Sequence, residues 1–233
     1  MPARRPRVTI FNAQSLDGRL DGFEPDLGVF YGLAAALPQD AVLSGSATIA
    51  AAAQASGVRL EEEDERPRPA AARRAEGPWL VLVDSGGRIT RFDWLRAQPH
   101  WRDVIVLCSG ATPRDHLHRL TRLDVAHHVV GDAKVDLAAA LALLRDQYGV
   151  ERIRVDAGPG LNGALLRERL VDEVRVLVAP CLTGESPEAL HLVGGHVGPV
   201  RLEPSSAQIL AHGHVLLAYD LVAREDDGAS ASP

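Results

Sequence analysis

Two polar side chains, Ser15 and Asp17, follow an apolar strand-like run in the stretch VTIFNAQSLDGRLDG, residues 8–22. A hydroxyl and a carboxylate placed there can hold a ligand, because α/β proteins collect ligands at the carboxyl ends of their strands. The same residues also fit a tight turn, since an Asp-Gly pair accepts the backbone angles of a hairpin. The first Leu-Asp-Gly unit can therefore be either a ligand site or a tight turn. Asp21 of the second Leu-Asp-Gly unit is interpreted as a turn or surface residue.

A glycine-rich turn later in the chain is the second candidate site. A strand-like run over residues 152–155 leads into Gly158-Pro159-Gly160-Leu161-Asn162-Gly163, where a helix-forming stretch begins. Backbone N–H groups at such a helix start can bind phosphate, so this Gly-x-Gly-x-x-Gly spacing indicates a nucleotide site, with a turn that binds nothing as the alternative. An ordinary Rossmann unit is disfavoured, because the motif comes late and the next strand ends in Ala-Pro-Cys without an acidic residue.

These candidate residues need a sheet to position them. Short β-rich runs alternate with helix-forming stretches along the chain, which predicts an α/β fold with a mainly parallel sheet and helices on both faces. The last strand, about His214 to Val222, is expected to return antiparallel at an edge. We expect one domain over residues 1–223, a disordered tail over 224–233, and a mobile surface loop in the charged segment Gly57 to Pro78.

Composition limits the classes of function. The formal net charge is −6 and Lys134 is the only lysine, so no nucleic-acid footprint is expected. No apolar stretch approaches the roughly 20 residues of a membrane span, and no signal peptide is recognisable. Cys108 and Cys181 fit reduced structural cysteines, which makes the cytoplasm the expected compartment. His127 and His128 alternate faces of a strand and the other histidines show no ligand spacing, so no metal is expected.

Four stretches resemble a known family when they are taken in order. SLDGRL, DAVLSGSAT, VLVDSGGRI and VDAGPGLNGALLRERLVDEVRVLVAPCLTG resemble the reductase domain of the bifunctional riboflavin-biosynthesis deaminase/reductase, a dihydrofolate-reductase-like family. The resemblance runs from Arg7 to Gly184, and the zinc pattern of the deaminase is absent, so the chain resembles a stand-alone reductase. It implies a dihydrofolate-reductase-like three-layer sandwich with a mixed, mainly parallel central sheet, antiparallel C-terminal strands and a homodimer.

The resemblance also implies an activity and a site. The activity is that of 5-amino-6-(5-phosphoribosylamino)uracil reductase, in which NADPH reduces the ribosyl C1′ of a small pyrimidine substrate. The implied substrate contacts are Ser15, Asp17 and Asp156, with Asp17 the candidate catalytic group that orients or protonates the opened sugar. The implied cofactor contacts are Gly45, Ser46, Thr48, Ser85, Arg88, Ala157, Gly158, Pro159, Gly160, Leu161, Asn162 and Gly163. Ser85 and Arg88 suit a 2′-phosphate, or form an ordinary turn.

The sequence departs from the family where the substrate's phosphate would bind. No lysine or arginine lies between Arg19 and Arg59, and VRLEEEDERPRP replaces an Asp-Asp-Pro stretch. Arg59, Arg66 or Arg68 could supply the cations that a phosphate requires, or the substrate differs. Asp156 stands where the family usually carries glutamate. A paralogous reductase of another pterin-like or pyrimidine-like compound and a non-catalytic nucleotide-binding protein of the same fold therefore stay open.

Overall fold

A computed structural model describes residues 5–60, 74, 76–184 and 189–222. The expected tail 224–233 and most of the expected mobile loop between Gly57 and Pro78 lie outside these residues. The strands are β1 Arg7–Gln14, β2 Ala41–Gly45, β3 Trp79–Val83, β4 Val104–Cys108, β5 Ala126–Val129, β6 Arg152–Val155, β7 Glu173–Val178, β8 Leu202–Ile209 and β9 Val215–Leu221. The α-helices are α1 Leu27–Ala36, α2 Ser46–Ala55, α3 Phe92–Ala97, α4 Arg114–Arg122, α5 Leu137–Tyr148 and α6 Pro159–Arg167.

All of these strands join one mixed sheet in the order β5-β4-β3-β2-β6-β1-β7-β9-β8. The strands from β1 to β7 pair in parallel, whereas β9 pairs antiparallel with both β7 and β8. The prediction of a mainly parallel sheet with an antiparallel C-terminal strand near residues 214–222 is confirmed, but its expected position at an edge is wrong, because β8 pairs with the outer side of β9 and is itself the edge strand. Strand β8 was not predicted, because its polar sequence LEPSSAQI lacks an apolar alternation.

Apolar side chains cover both faces of the sheet and attach the helices. On one face, Ile10 of β1 and Val155 of β6 pack with Leu141 of α5 and Leu165 of α6. On the other face, helices α2, α3 and α4 cover β2, β3 and β4 through a second buried cluster that includes Leu82. Helix α1 covers β1, β7 and β9 through a third cluster of buried residues, which are Phe11, Phe30, Ala34, Leu177 and Leu216. The result is the expected three-layer arrangement, and parallel strands buried in this way present their carboxyl ends at one edge.

Candidate active site

Two helix starts meet at the carboxyl edge of the sheet. Helix α2 begins directly after β2, and α6 begins at Pro159, a residue that suits the first helical position because it has no N–H to leave unpaired. The Thr48 hydroxyl accepts a hydrogen bond from the Gly158 N–H at 3.1 Å, which ties the two turns together. A Cβ built on Gly45 would lie 3.8 Å from the Leu161 side chain, so the turns are in van der Waals reach of each other.

The outer side of this double turn is open. A Cβ built on Gly160 would meet nothing within 4 Å, and Gly160 is exposed at the first turn of α6. The first-turn N–H groups of a helix have no acceptor inside the helix, and they carry its positive dipole end. Two such ends side by side fit an anion that bears several charges, such as a pyrophosphate. The predicted contacts Gly45, Ser46, Thr48, Gly158, Pro159, Gly160 and Leu161 are all brought together here.

The inner side of the turn is closed, and three of the predicted cofactor contacts, Ala157, Asn162 and Gly163, pack against it. Asn162 is 0% exposed, and its side chain donates to the Ala157 carbonyl at 3.2 Å. Ala157 is itself buried. A Cβ built on Gly163 would lie only 2.2 Å from the Gly194 carbonyl oxygen, so this glycine is required for packing. These three residues therefore support the turn from within: Asn162 by its side-chain hydrogen bond, Ala157 by its buried position and Gly163 by leaving room for the Gly194 carbonyl.

Ser15 and Asp17 form a connected pair at the end of β1. The buried Ser15 hydroxyl donates to the Asp17 carboxylate at 2.5 Å and accepts from the Arg19 N–H at 3.0 Å. The carboxylate also accepts from the backbone N–H groups of Thr183 and Gly184, at 3.1 and 2.8 Å. The Ser15 hydrogen bond and these N–H groups hold the pKa of Asp17 well below its usual range. An ionised carboxylate accepts hydrogen bonds, which favours an orienting role for Asp17 over a proton-donating one.

Both interpretations of the first Leu-Asp-Gly unit find support in this geometry. Gly18 has φ +86°, a conformation that favours glycine, and its N–H donates to the Ser15 carbonyl at 3.0 Å. The stretch is therefore a tight turn, and its carboxylate is exposed. Arg19 is buried against Asp21 and the Gly184 carbonyl, so Asp21 holds the loop in place, which agrees with the prediction of a turn or surface residue.

Asp156 lies at a separate position, just past the end of β6. The parallel pairing of Ile10 with Val155 places Asp156 alongside the middle of β1, whereas Asp17 is bound to the loop after β7. The Asp156 carboxylate accepts from the Arg154 guanidinium at 3.1 Å, and Gln39 accepts from the same guanidinium at 2.8 Å. The structure therefore brings Ser15 and Asp17 together and leaves Asp156 in a neighbouring cluster of its own.

Tyr31 and Arg154 are two residues of this neighbourhood that were not predicted. Tyr31 is 52% exposed, and partial desolvation of its phenol together with the charge of nearby Asp156 raises its pKa. Arg154 is almost fully buried and is the cation beside Asp156. The alternation Arg152, Arg154, Asp156 along β6 could have indicated a shared face, but nothing local to the sequence places Tyr31 of α1 beside it.

Ser85 and Arg88 sit in the turn after β3. The Asp84 carboxylate accepts from the backbone N–H groups of Arg88 and Ile89, at 3.0 and 2.9 Å, and thereby closes the turn. The Ser85 hydroxyl accepts from the Val135 N–H at 3.2 Å. Arg88 is exposed and its side chain covers Gly86. The turn is therefore prearranged, with an exposed cation on its surface.

Two further kinds of site, for a metal ion and for a membrane, concern the residues that the structure describes. No group of three metal-ligating side chains occurs among them. His127 contacts the Val125 carbonyl while His128 contacts the Tyr148 hydroxyl, so the two adjacent rings have different partners. Within the same ranges, no helix is long and apolar enough to cross a membrane. Both cysteines are free thiols, and burial raises the pKa of Cys108 to about 11.

The chain is similar to reductases of riboflavin biosynthesis. A family model described as the RibD C-terminal domain matches residues 6–216. The 2,5-diamino-6-ribosylamino-4(3H)-pyrimidinone 5′-phosphate reductase of Archaeoglobus fulgidus is 28% identical over 190 residues, covering 77% of this chain and 83% of that protein. Riboflavin biosynthesis protein RibD of Escherichia coli is 30% identical over 156 residues, covering 66% of this chain but only 41% of that protein.

A solved structure supports the same assignment at the level of the fold. The crystal structure of a pyrimidine reductase-like protein from Corynebacterium diphtheriae superposes with a TM-score of 0.68 at 18% identity, covering 94% of this chain and 92% of that one. The expected dihydrofolate-reductase-like architecture is thereby confirmed.

Proposed function

The chain belongs to the RibD C-terminal domain family, and from that membership we propose that it is an NADPH-dependent reductase acting on a ribosylamino-pyrimidine. Three of its relatives are named as 2,5-diamino-6-ribosylamino-4(3H)-pyrimidinone 5′-phosphate reductases. The proposed reaction is hydride transfer to the ribosyl C1′ of such a substrate: the bond from C1′ to the ring oxygen breaks, that oxygen takes a proton to become a hydroxyl, and C1′ stays bonded to nitrogen as the CH2 of an open-chain ribitylamino group. We propose residues 1–223 as one reductase domain, since the described strands form one continuous sheet.

The observation that carries this proposal is the meeting of two helix starts at the glycine turn. The contact from Gly158 to Thr48 holds both starts in one orientation, and the open space above Gly160 leaves room for a pyrophosphate. Phosphate binding at this position needs no side-chain cation, because the backbone N–H groups and helix dipoles supply the positive charge. Arg88 is the proposed contact for the 2′-phosphate of NADPH, with Ser85 fixing the neighbouring loop.

Bound NADPH would supply the hydride, and the residues of the chain would position the reactants. In this proposal Asp17 stays ionised and accepts hydrogen bonds from substrate hydroxyls, while Ser15 fixes its rotamer. The Asp156 carboxylate, which Arg154 orients, accepts hydrogen bonds from the side of the substrate that faces away from Asp17. Tyr31 is protonated at neutral pH, since a phenol's ordinary pKa of about 10 already lies well above 7 and the shift here is upward, and it can donate a hydrogen bond to the substrate.

Assembly and compartment follow as further proposals. Every residue of β8 is exposed, and Ile209 of that strand is 87% exposed, a pattern typical of an edge strand that a second copy covers. We propose a homodimer that buries this strand. The two free thiols agree with a reducing compartment, so the cytoplasm is the proposed location.

The direct test is turnover. Purified protein, NADPH and 2,5-diamino-6-ribosylamino-4(3H)-pyrimidinone 5′-phosphate should give a loss of NADPH absorbance and a product with two additional hydrogens by mass spectrometry. Tight NADPH binding without turnover of this or any related pyrimidine would instead support a non-catalytic nucleotide-binding protein.

A paralogous reductase with an unphosphorylated substrate is the second candidate. One observation favours it: the buried cation near the substrate side, Arg154, is already engaged by Asp156 and Gln39. A bound phosphate away from water requires cations of its own. Arg59 is exposed, and the other two proposed cations, Arg66 and Arg68, lie outside the described residues. Comparing kcat/KM for the phosphorylated and dephosphorylated substrates separates the two candidates.

A further inference from the structure

Residues 190–195, which we call the bridging segment, contact the loop that carries Asp17. The Leu190 carbonyl accepts from the Leu20 N–H at 2.7 Å, and the Leu190 N–H donates to the Asp21 carboxylate at 3.0 Å. The Leu190 N–H is the main cause of the lowered pKa of Asp21. The carbonyl and the N–H of Leu190 therefore fix this end of the bridging segment to Leu20 and Asp21, in the loop 18–21.

The other end of the bridging segment is fixed to the glycine turn. The Gly194 N–H donates to the Pro159 carbonyl at 2.9 Å. A Cβ on Gly194 would lie 2.9 Å from the Pro159 Cβ and 3.1 Å from its carbonyl carbon, and a Cβ on Gly163 would lie 2.2 Å from the Gly194 oxygen. Both glycines are thus required for direct backbone contact between the segment and α6. The backbone of the segment and the first turn of α6 are therefore in direct contact at this point.

Asn162 connects this contact to the interior. Its buried amide nitrogen lies 3.0 Å from the Leu192 carbonyl, 3.1 Å from the Asn12 side-chain oxygen and 3.2 Å from the Ala157 carbonyl, so its two N–H donors are shared among three acceptors. Asn12 donates in turn to the Ala157 carbonyl at 2.9 Å. One side chain therefore joins β1, the glycine turn and the bridging segment in a water-excluded network, where hydrogen bonds are strongest and hardest to replace.

We infer that the bridging segment couples the nucleotide turn to the Asp17 loop, and that Asn162 is the positioning residue of this coupling. The inference rests on the proposed function. Phosphate binding at the outer side of the turn restrains Pro159 and Gly160, and the contacts at Gly194 and Leu192 pass that restraint to Leu190. The residues that hold Asp17 are then ordered before substrate arrives, so less ordering remains for the substrate to induce.

Hydrogen–deuterium exchange with and without NADPH tests the coupling independently of turnover. In the unaltered protein NADPH should slow exchange in peptides that cover residues 157–163, 190–194 and 18–21. The variant Gly194→Ala displaces the segment from Pro159, so it should keep protection at 157–163 and lose most of it, several-fold, at 18–21. The variant Asp21→Ala releases the other end and should keep protection at 157–163 and 190–194 while losing it at 18–21. Asn162→Ala should also uncouple 18–21.

The matched control is Gly32→Ala on the exposed surface of α1, where an added Cβ meets nothing within 4 Å. It should leave the whole protection pattern unchanged. The inference is overturned if NADPH protects 157–163 but not 18–21 in the unaltered protein, or if protection at 18–21 survives in both Gly194→Ala and Asp21→Ala. Absence of protection at 157–163 in the unaltered protein would overturn the proposed cofactor, and the coupling with it.

Discussion

The carboxylate of Asp17 accepts a hydrogen bond from the backbone N–H of Gly184 at 2.8 Å, across a separation of 167 residues in the chain. The carboxylate therefore fixes the loop after β7 and faces solvent at the same time. Asp17→Asn keeps the backbone turn, because asparagine tolerates the same angles, but it replaces one acceptor oxygen by a donor. We expect kcat to fall about 10²-fold, as for a misplaced positioning group, measured with a confirmed substrate.

Gly18→Val is the matched control for stability at this turn. Gly18 has φ +86°, so valine is strained there and should lower Tm far more than Asp17→Asn does. A fully active and stable Asp17→Asn enzyme would show that the first Leu-Asp-Gly unit is a turn and nothing else.

The open space above Gly160 predicts the effect of filling it. Gly160→Val places a branched side chain where the phosphate is proposed to approach the helix start, so the Kd for NADPH should rise at least tenfold, measured by fluorescence titration. Gly32→Val makes the same change on the exposed face of α1 and should leave this Kd unaltered. An unchanged Kd in Gly160→Val would refute the assignment of the turn.

The exposed side chain of Arg88 leads us to expect a preference for NADPH over NADH. If its guanidinium binds the 2′-phosphate, Arg88→Ala should weaken NADPH binding by tenfold or more and change NADH binding little, because NADH lacks that phosphate. Arg122→Ala, an exposed arginine on α4, is the control and should affect neither Kd. Equal losses for NADPH and NADH in Arg88→Ala would make Arg88 an ordinary turn residue.

Elements with a strong local signal were predictable from sequence. The stretch SATIAAAAQA forms α2 over all ten of its residues, which its alanine content indicates, since alanine has the highest intrinsic helix propensity. Helix α1 depends more on tertiary contacts, because Phe30 stacks on Phe11 of β1 at 4.7 Å, in addition to its Asp26 cap. Strand β8 was missed for a similar reason: its polar residues become a strand only by pairing with β9.

The candidate site likewise has features that are local in sequence and features that depend on long-range contacts. The glycine spacing and the Ser-Leu-Asp-Gly stretch are contiguous, so sequence alone could indicate them. The sequence does not show which residues of the glycine turn face the ligand and which support the turn. Asn162 faces inward because it contacts Asn12 and Leu192, which are distant from it in sequence. Tyr31 likewise joins Asp156 only through the packing of α1. Long-range packing decides which residues of a motif face the ligand and which support it.

Burial of His116 predicts a pH dependence of stability. The ring is 3% exposed, its nitrogens have no hydrogen-bond partner among the described residues, and burial lowers its pKa. The unfolded chain then binds a proton more readily than the folded one, so stability falls as pH drops below the ordinary histidine pKa. One such group contributes at most about 1.4 kcal/mol of unfolding free energy per pH unit.

Thermal unfolding between about pH 7.5 and pH 5.5, the range around the ordinary histidine pKa, measures this effect. We expect His116→Leu to show a shallower fall of Tm with acidification than the unaltered protein. His118→Leu, an exposed position on the same helix, should keep the original slope. Identical slopes in all three proteins would contradict the assignment to His116.

The two edges of the sheet predict where the proposed dimer forms. Ile209 on the edge strand β8 is 87% exposed, and Val129 on the opposite edge strand β5 is 53% exposed. If a second copy covers β8, Ile209→Glu places an unpaired charge in the interface and should convert the dimer to monomer at micromolar concentration. Val129→Glu puts the same charge on the other edge and should leave the mass that of a dimer. Sedimentation velocity distinguishes these results. A monomer mass for the unaltered protein would contradict the dimer itself. A dimer that dissociates in Val129→Glu but not in Ile209→Glu would show that the interface lies on the β5 edge instead.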